Sequence, residues 1–268
     1  MATGPTKRFA GRVTGAEPLI EREEALIADG SLIGRYHLYQ ATRPAAELFE
    51  PAVPIPQAAR TVIDSMRGWN LTTTDAELAA ALVSLGALPS RTYALMTIAL
   101  NDVVLREESG RLDDLELVPL TPDLSVTPEL IELVRLAYPP GHPDEELGSD
   151  DDIRADFERA LHGARLGPLM AVSRIAKDGP RPVGMAIVNR VPGRAPTGGP
   201  WLTDIFRDPD PVYTGLGRDL LQAVMRECRD AGELTMSLAV TDGNPARQLY
   251  ESLGFTVAAS TSKLRLPD

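Results

Sequence analysis

Cysteine and histidine are scarce: one cysteine, Cys228, and three scattered histidines, His37, His142 and His162, stand among 268 residues. A lone cysteine closes no internal disulfide, and the Cys and His spacings that hold zinc are missing, so no metal is expected. Cys228 continues the apolar stripe Leu220, Leu221, Val224 and Met225, which reads as a buried small hydrophobe rather than a nucleophile. No run of about 18 apolar residues occurs, which excludes a helical membrane span as the expectation. The first residues, MATGPTKRFAGRVTG, are basic but lack the apolar segment of a secretory signal, and a cytoplasmic location is expected. Positive charge is also short, with 27 Lys and Arg against 38 Asp and Glu and a net charge of −11. Such a field repels a phosphate backbone, so nucleic acid is not an expected partner. Neutral or cationic partners, or anions held at one local site, remain.

What is present is an ordinary globular composition with strong local punctuation. Residues 17–28, EPLIEREEALIA, pair apolar positions at helical spacing and stop before Asp29-Gly30, which predicts a short helix. SLIGRYHLYQAT predicts a strand. Residues 43–57 hold Pro44, Pro51, Pro54 and Pro56 and predict a loop. A helical stripe follows at Ala59, Val62, Ile63 and Met66. Then come a short strand near Trp69–Thr72, a helix from Asp75 to Leu85 stopped by Gly86, and a strand RTYALMTIAL. The charged segment Asn101–Asp114 suggests a boundary, giving an amino-terminal region 1–112 and a second domain 113–268.

From Leu115 the predicted order is strand, two helices, three strands, helix, strand, helix, strand. LELVPL alternates as a strand. Thr127 and Pro128 cap a helix with the stripe Leu130, Ile131, Val134, Ala137 and Tyr138. Ser149 with Asp152 forms a capping box before Ile153, Phe157, Ala160 and Leu161. PLMAVSRIA and PVGMAIVNRV read as strands joined through Asp178-Gly179, a hairpin signal. This is a mixed α/β (α+β) domain with a mainly antiparallel start and at least one crossover helix.

The stretch Trp201–Phe255 carries the functional signal. Gly215-Leu216-Gly217 follows a strand and opens a helix, where amides without intrahelical partners and the helix dipole favour a phosphate. Two familiar phosphate motifs do not apply. Gly217-Arg218-Asp219 lacks the Lys and Ser/Thr of a Walker loop, and the third glycine of a dinucleotide fingerprint would fall on Leu220. Farther on, Asn244-Pro245 starts a short helix and Gly254 stops it, with Ala246, Leu249, Tyr250 and Leu253 on one face. Read alone, Asn244 is equally a cap and Tyr250 equally a core residue.

Together these segments resemble the GNAT superfamily of acetyl-CoA-dependent N-acetyltransferases. In that family a strand leads to Gln/Arg-x-x-Gly-x-Gly/Ala at a helix start, matched here by Val212-Tyr213-Thr214-Gly215-Leu216-Gly217. The next strand leads to Asn-x-x-Ala-x-x-x-Tyr-x-x-x-Gly-Phe, matched by Asn244, Ala246, Tyr250, Gly254 and Phe255, with Ala246 two rather than three residues after Asn244. The resemblance spans roughly Leu115–Leu266 and implies a mixed central sheet flanked by helices. It implies two splayed parallel strands that take the pantetheine arm as an added strand would be taken, on main-chain groups of Ile205, Phe206 and Arg207. The amide of Phe206 or Arg207 would face the thioester oxygen. The pyrophosphate would lie on the amides of Tyr213, Thr214, Gly215, Leu216, Gly217 and Arg218. Asn244 joins the cofactor-binding set, and Tyr250 would protonate the departing thiolate. One departure is Val212, which stands where the family often has Gln or Arg; Arg218 or Arg207 would have to compensate.

The implied substrate is a small-molecule or peptide primary amine, and acetyl-CoA is the co-substrate. Asp204 is the nearby strand carboxylate, but its facing is not readable beside an expected bulge. The loop PPGHPDEELGSDDD, with six carboxylates between Asp144 and Asp152, is expected to attract a cationic amine or to be simply a solvated acidic loop. A non-catalytic acyl-CoA-binding regulatory protein is the alternative, and a longer acyl group or a protein amine a further one. Finally, TTTDAELAAALVSLGA repeats VTDGNPARQLYESLGF at constant offset, with Ala76 and Leu82 at the asparagine and tyrosine positions. That suggests a degenerate half-copy of the fold in the amino-terminal region.

Overall fold

The computed structural model describes residues 22–40, 43–103, 110, 112–144, 148–164 and 166–268. The chain forms two compact units, Met1–Thr92 with Thr261–Asp268, and Tyr93–Ser260.

The first unit contains β1 (Arg22–Ala28), β2 (Ser31–Gln40), β3 (Pro44–Pro51), α1 (Ile55–Ser65), β4 (Asn70–Thr73) and α2 (Ala76–Ser84), together with the ends of two strands shared with the second unit, β5 (Leu88–Ala99) and β11 (Thr256–Arg265). Strands β1, β2 and β3 pair antiparallel, β3 and β4 pair parallel, and β4 pairs antiparallel with β11. Helices α1 and α2 supply Ala58, Ala59, Val62, Leu78 and Leu82 to a core shared with Ile33, Phe49, Leu71 and Leu264.

Two expectations fail here. The described part of residues 17–28 is strand β1, not helix. Asp29 (φ 50°) and Gly30 (φ 75°) do not end a helix; they form the two-residue turn of the β1–β2 hairpin. The proline-rich stretch 43–57 is not all loop, because Pro44 and Pro51 sit at the first and last positions of β3, where a missing N–H is tolerated. Pro54 and Pro56 lie at the start of α1, the other position that accepts proline.

The second unit runs β6 (Glu116–Pro119), α3 (Pro128–Ala137), α4 (Asp150–Leu161), β7 (Arg174–Asp178), β8 (Arg181–Val191), β9 (Gly199–Arg207), α5 (Leu216–Asp230), β10 (Thr235–Thr241) and α6 (Ala246–Ser252), followed by β11. This is the order read from Leu115. The compact units part at Thr92/Tyr93 rather than at 112/113, because β5 from Tyr93 onward is laddered to β10 from Thr241 back to Thr235. The sheet order in this unit is β6-β7-β8-β9-β10-β5, antiparallel except for β9 with β10.

Both faces of this sheet are covered. Along β8, Ala186 and Val188 join Leu216, Leu220 and Val224 of α5, while Met185 and Ile187 join Leu130, Val134, Ile153 and Phe157 of α3 and α4. A strand buried on both faces is a near-continuous apolar run, as β8 is from Pro182 to Val188. Each fully buried leucine of α5 contributes about 1.5–3 kcal/mol. Gly184 lets that helix press close, since a Cβ there would meet Leu216 and Leu220 at 3.0 Å. The expected strand PLMAVSRIA is shorter than its apolar run. Residues before Arg174 form a loop held by Ser173, whose hydroxyl donates to the Val188 carbonyl at 3.1 Å and accepts from its N–H at 3.0 Å.

Candidate active site

Strands β9 and β10 are paired at two positions only, Trp201 with Ser237 and Leu202 with Leu238. Beyond Leu202, β9 continues to Arg207 and β10 to Thr241 without further pairing between them among the described residues. On its other side β9 stays laddered to β8 through Arg207, opposite Gly184. Asp208 N–H donates to the Val183 carbonyl at 2.8 Å. Antiparallel alternation then turns the main-chain groups of Phe206 and Asp204 toward β8 and those of Ile205 and Arg207 toward the open side. A strand edge with outward N–H and C=O groups fits an extended amide-bearing arm.

A bulge decides which way Asp204 faces. Ile187 pairs with Asp204 and Val188 with Leu202, so Thr203 is an extra residue. Leu202 packs in the α5 core and Phe206 in the α3/α4 core, although an even spacing separates them. One inserted residue reverses the parity. Asp204 therefore faces α3, where the Tyr138 hydroxyl donates to its Oδ1 at 2.5 Å.

The opposite lip is built from the turn after β10. Thr241 Oγ1 donates to Asp144 Oδ1 at 2.6 Å, and Asn244 Nδ2 donates to Asp144 Oδ2 at 2.8 Å. Asn244 Oδ1 accepts from the Ala246 N–H at 2.8 Å. Asn244 thus joins the α3–α4 loop to the helix that carries Tyr250. His142 Nδ1 accepts from the Asp144 N–H at 3.1 Å, and its ring stands edge-on to Tyr138 at 5.0 Å.

Tyr250 is buried, its ring 5.9 Å from that of Phe255. Burial pushes its phenol well above the ordinary tyrosine range, helped by the carboxylates of Asp204 and Asp144. Tyr138 is raised too, by burial first, then by Asp204, with smaller effects from Tyr250 and Asp144. Both phenols therefore keep their protons through the neutral range.

At the glycine turn, Gly215 takes φ 95° and precedes α5, while the space where Gly217 would carry a Cβ is open to 4 Å. Among the described residues no packing demands glycine at 217, and a helix start open in this way has room for an anion. Arg218 and Asp219 N–H groups bond the Gly215 carbonyl at 2.9 and 3.1 Å, closing the first turn. Tyr213 is buried and donates to Asp178 at 2.9 Å, Leu216 is fully buried, Thr214 is exposed and Val212 is 55% exposed. Arg207 donates to the carbonyls of Asp208 at 2.5 Å and Asp210 at 3.5 Å, and Arg218 lies 3.4 Å from the Ser252 hydroxyl. Ile205 is half-buried against the α5 core, and Phe206 stacks edge-on with Tyr138 and Phe157 at 6.0 and 6.2 Å.

Several acidic residues are occupied locally. Asp152 closes the capping box with Ser149, and Asp150 accepts from Arg135; Glu145 and Glu146 lie outside the described residues. Tyr138 is a candidate that pattern alone does not mark, and Asp144 was readable only as one of six carboxylates in its loop. Periodicity shows Tyr138 only as the last apolar position of α3, and its hydroxyl was the one available sign. Cys228 is buried and pushed up to about 12, chiefly by burial. Among the described residues no cluster of three or more metal-ligating side chains occurs, and no helix is long and apolar enough to cross a membrane.

Residues 127–255 match the model of the acetyltransferase (GNAT) family. A GCN5-related N-acetyltransferase from Sphaerobacter thermophilus is similar in structure with a TM-score of 0.57 at 15% identity, over 88% of this chain and 77% of that one. One from Kribbella flavida gives 0.54 at 16% identity over 94% and 92%. A tandem GNAT protein from the clavulanic acid biosynthesis pathway gives 0.55 at 16% identity over 90% and 80%. At these identities the likeness is one of fold. No curated protein sequence matches the chain significantly.

Proposed function

From the match of residues 127–255 to the acetyltransferase (GNAT) family model, we propose that the protein moves the acetyl group of acetyl-CoA to a primary amine by direct transfer. The observation that carries this reading is the placement of Tyr250. Its phenol is buried, keeps its proton, and feels the carboxylates of Asp204, which lies past the last β9–β10 pair, and Asp144. Acetyl-CoA supplies an activated thioester, whose sulfur needs a proton as it leaves. Tyr250 holds that proton and donates it, a contribution of about 10²–10⁴-fold in comparable acid catalysis.

The remaining residues bind and orient. Main-chain groups of Ile205 and Arg207 on the open edge of β9 take the amide-bearing arm, with the Arg207 amide directed at the carbonyl oxygen. The amides of Tyr213, Thr214 and Arg218 bond the carbonyls of Asp210, Pro211 and Gly215, so the pyrophosphate is received by the amides of Gly215, Leu216 and Gly217, with Gly217 leaving it room. Asn244 acts here as the brace between Asp144 and α6.

Val212, exposed where the family often carries Gln or Arg, favours the second reading, a silent acyl-CoA-binding regulator. Thiol release from acetyl-CoA, followed across a panel of primary amines, separates the two. Amine-dependent release with an acetylated product in the mass spectrum is expected. Thermal stabilisation by coenzyme A with no release for any amine would establish the regulator instead.

A further inference from the structure

We propose that Asn189 is a positioning residue for the site: its carboxamide pins the bulge at Thr203, and through that bulge it sets which main-chain groups β9 presents along its open edge. This deepens the acyl-transfer reading above and rests on it. Asn189 lies on β8, fully buried, directly past the register shift between Ile187 and Val188. Its Nδ2 donates to the Ala160 carbonyl in the last turn of α4 and to the Gly167 carbonyl in the loop that follows, both at 2.8 Å. The Thr203 hydroxyl donates to its Oδ1 at 2.6 Å.

The two ends of this amide are not interchangeable. Carbonyl oxygens only accept, so the two carbonyls take both N–H donors, and the amide oxygen is left facing Thr203, which must donate. The same hydroxyl lies 3.5 Å from the Trp201 carbonyl, and its single proton goes to the shorter contact. Both donors and the oxygen of Asn189 thus have partners, as a buried amide requires. The loop is shaped to reach it. Gly167 takes φ 83°, a Cβ there would meet the Arg190 carbonyl at 2.2 Å, and Arg190 N–H donates to the Pro168 carbonyl at 2.8 Å. The end of α4, this loop and β9 therefore meet on one side chain.

Thr203 and Asp204 are consecutive, yet both reach the α3/α4 side of the sheet, Thr203 through Asn189 to α4 and Asp204 to Tyr138 at the end of α3. Regular alternation would send one of them to the α5 side. The hydrogen bond to Asn189 holds the exception in place. Released from it, the bulge is free to migrate along the strand, and a slip of one residue exchanges the groups that face β8 for those that face the opening. Ile205 and Arg207 would then turn their main-chain groups inward. Asn189 meets neither reactant; it acts through β9.

The test compares Thr203→Val, which keeps the shape and removes the hydroxyl, with Thr203→Ser, which keeps the hydroxyl, in the full chain. It reads residue-resolved amide hydrogen exchange, calorimetric binding of coenzyme A, and kcat/KM for thiol release from acetyl-CoA. In Thr203→Val the amides of Phe206 and Asp208, laddered to β8, should exchange about tenfold faster while those of α5 keep their rate. The coenzyme A dissociation constant should rise about tenfold and kcat/KM fall about 100-fold. Thr203→Ser should stay within about twofold of the native protein in all three. Native exchange and affinity in Thr203→Val, equal acceleration of every amide, or an equal loss in Thr203→Ser overturns the proposal. If Thr203→Val does not fold, the native protein decides: the Asn189 carboxamide protons should exchange as slowly as the β8 amides, and rapid exchange overturns the pin. The expected exchange pattern with no thiol release from any form, native included, supports the pin and overturns the acyl-transfer reading.

Discussion

The segments β4–α2 and β10–α6 end in the same way and do different things. Leu85 N–H bonds the Ala81 carbonyl at 3.2 Å and Leu253 N–H the Leu249 carbonyl at 3.2 Å; Ala87 N–H bonds Leu82 at 3.0 Å and Phe255 N–H bonds Tyr250 at 3.0 Å. Ser84 and Ser252 donate to Ala81 and Leu249 at 2.7 and 2.8 Å, and Gly86 and Gly254 take φ 100° and 99°. The helix starts diverge. Asp75 accepts from the Leu78 N–H at 2.9 Å and Asn244 from the Ala246 N–H at 2.8 Å, but Asn244 also donates to Asp144 in another loop at 2.8 Å. Leu82 is fully buried in an apolar core; Tyr250, at the matching position, is also buried among apolar residues, but its phenol feels the carboxylates of Asp204 and Asp144. The lesson is that a repeated backbone device carries no chemistry by itself. Two side chains and what the tertiary fold brings to them make the difference, consistent with a degenerate half-copy in the amino-terminal region, which we propose.

Four measurements break or sharpen this contrast. Tyr250→Phe keeps the ring and removes the proton, so turnover should fall about 100-fold or more while the acetyl-CoA dissociation constant stays within about twofold. Equal turnover would remove Tyr250 from the chemistry and make the two segments alike. Leu82→Ala should lower unfolding free energy by about 2–5 kcal/mol in denaturant titration, through lost burial and a cavity. Turnover per folded molecule should be unaffected, and a specific loss of turnover would give the first segment a functional part. Gly86→Ala and Gly254→Ala should each cost about 1–2 kcal/mol, because both force a Cβ into the left-handed region. A large inequality between them would show that the two helix ends are not the same device.

The smallest effect is in pH. Tyr138 and Tyr250 bind their protons more tightly folded than unfolded. Their contribution is fully present below the ordinary tyrosine value of 10.0 and is lost as pH rises above it. Denaturation midpoints taken from about pH 8 to about pH 11 should fall at the alkaline end, and Tyr250→Phe should flatten part of that fall.

Much of the second unit was legible because its signals are local. Thr127, Ser149 with Asp152, Asp178-Gly179, and Gly254 act within a few residues of themselves, and the structure uses each as expected. The errors fell where one local signal serves two structures. Asp-Gly stops a helix or turns a hairpin, and at Asp29-Gly30 the partner strand β2 decided for the hairpin. Prolines at 44 and 51 read as loop because proline breaks a ladder, yet at strand ends it breaks nothing.

The sequence by itself determined the order of elements from Leu115, the glycine turn before α5, the helix carrying Tyr250, and an acidic field that disfavours polyanions. These follow from spacing, capping and composition, which the chain carries wherever it folds. Only the tertiary structure decided that Asp204 faces Tyr138, since the extra residue at Thr203 exists only relative to β8. It alone brought Asp144 to Thr241 and Asn244, across a long stretch of chain. Periodicity is a property of one strand or helix; which carboxylate meets which phenol is a property of how strands and loops are laid beside one another.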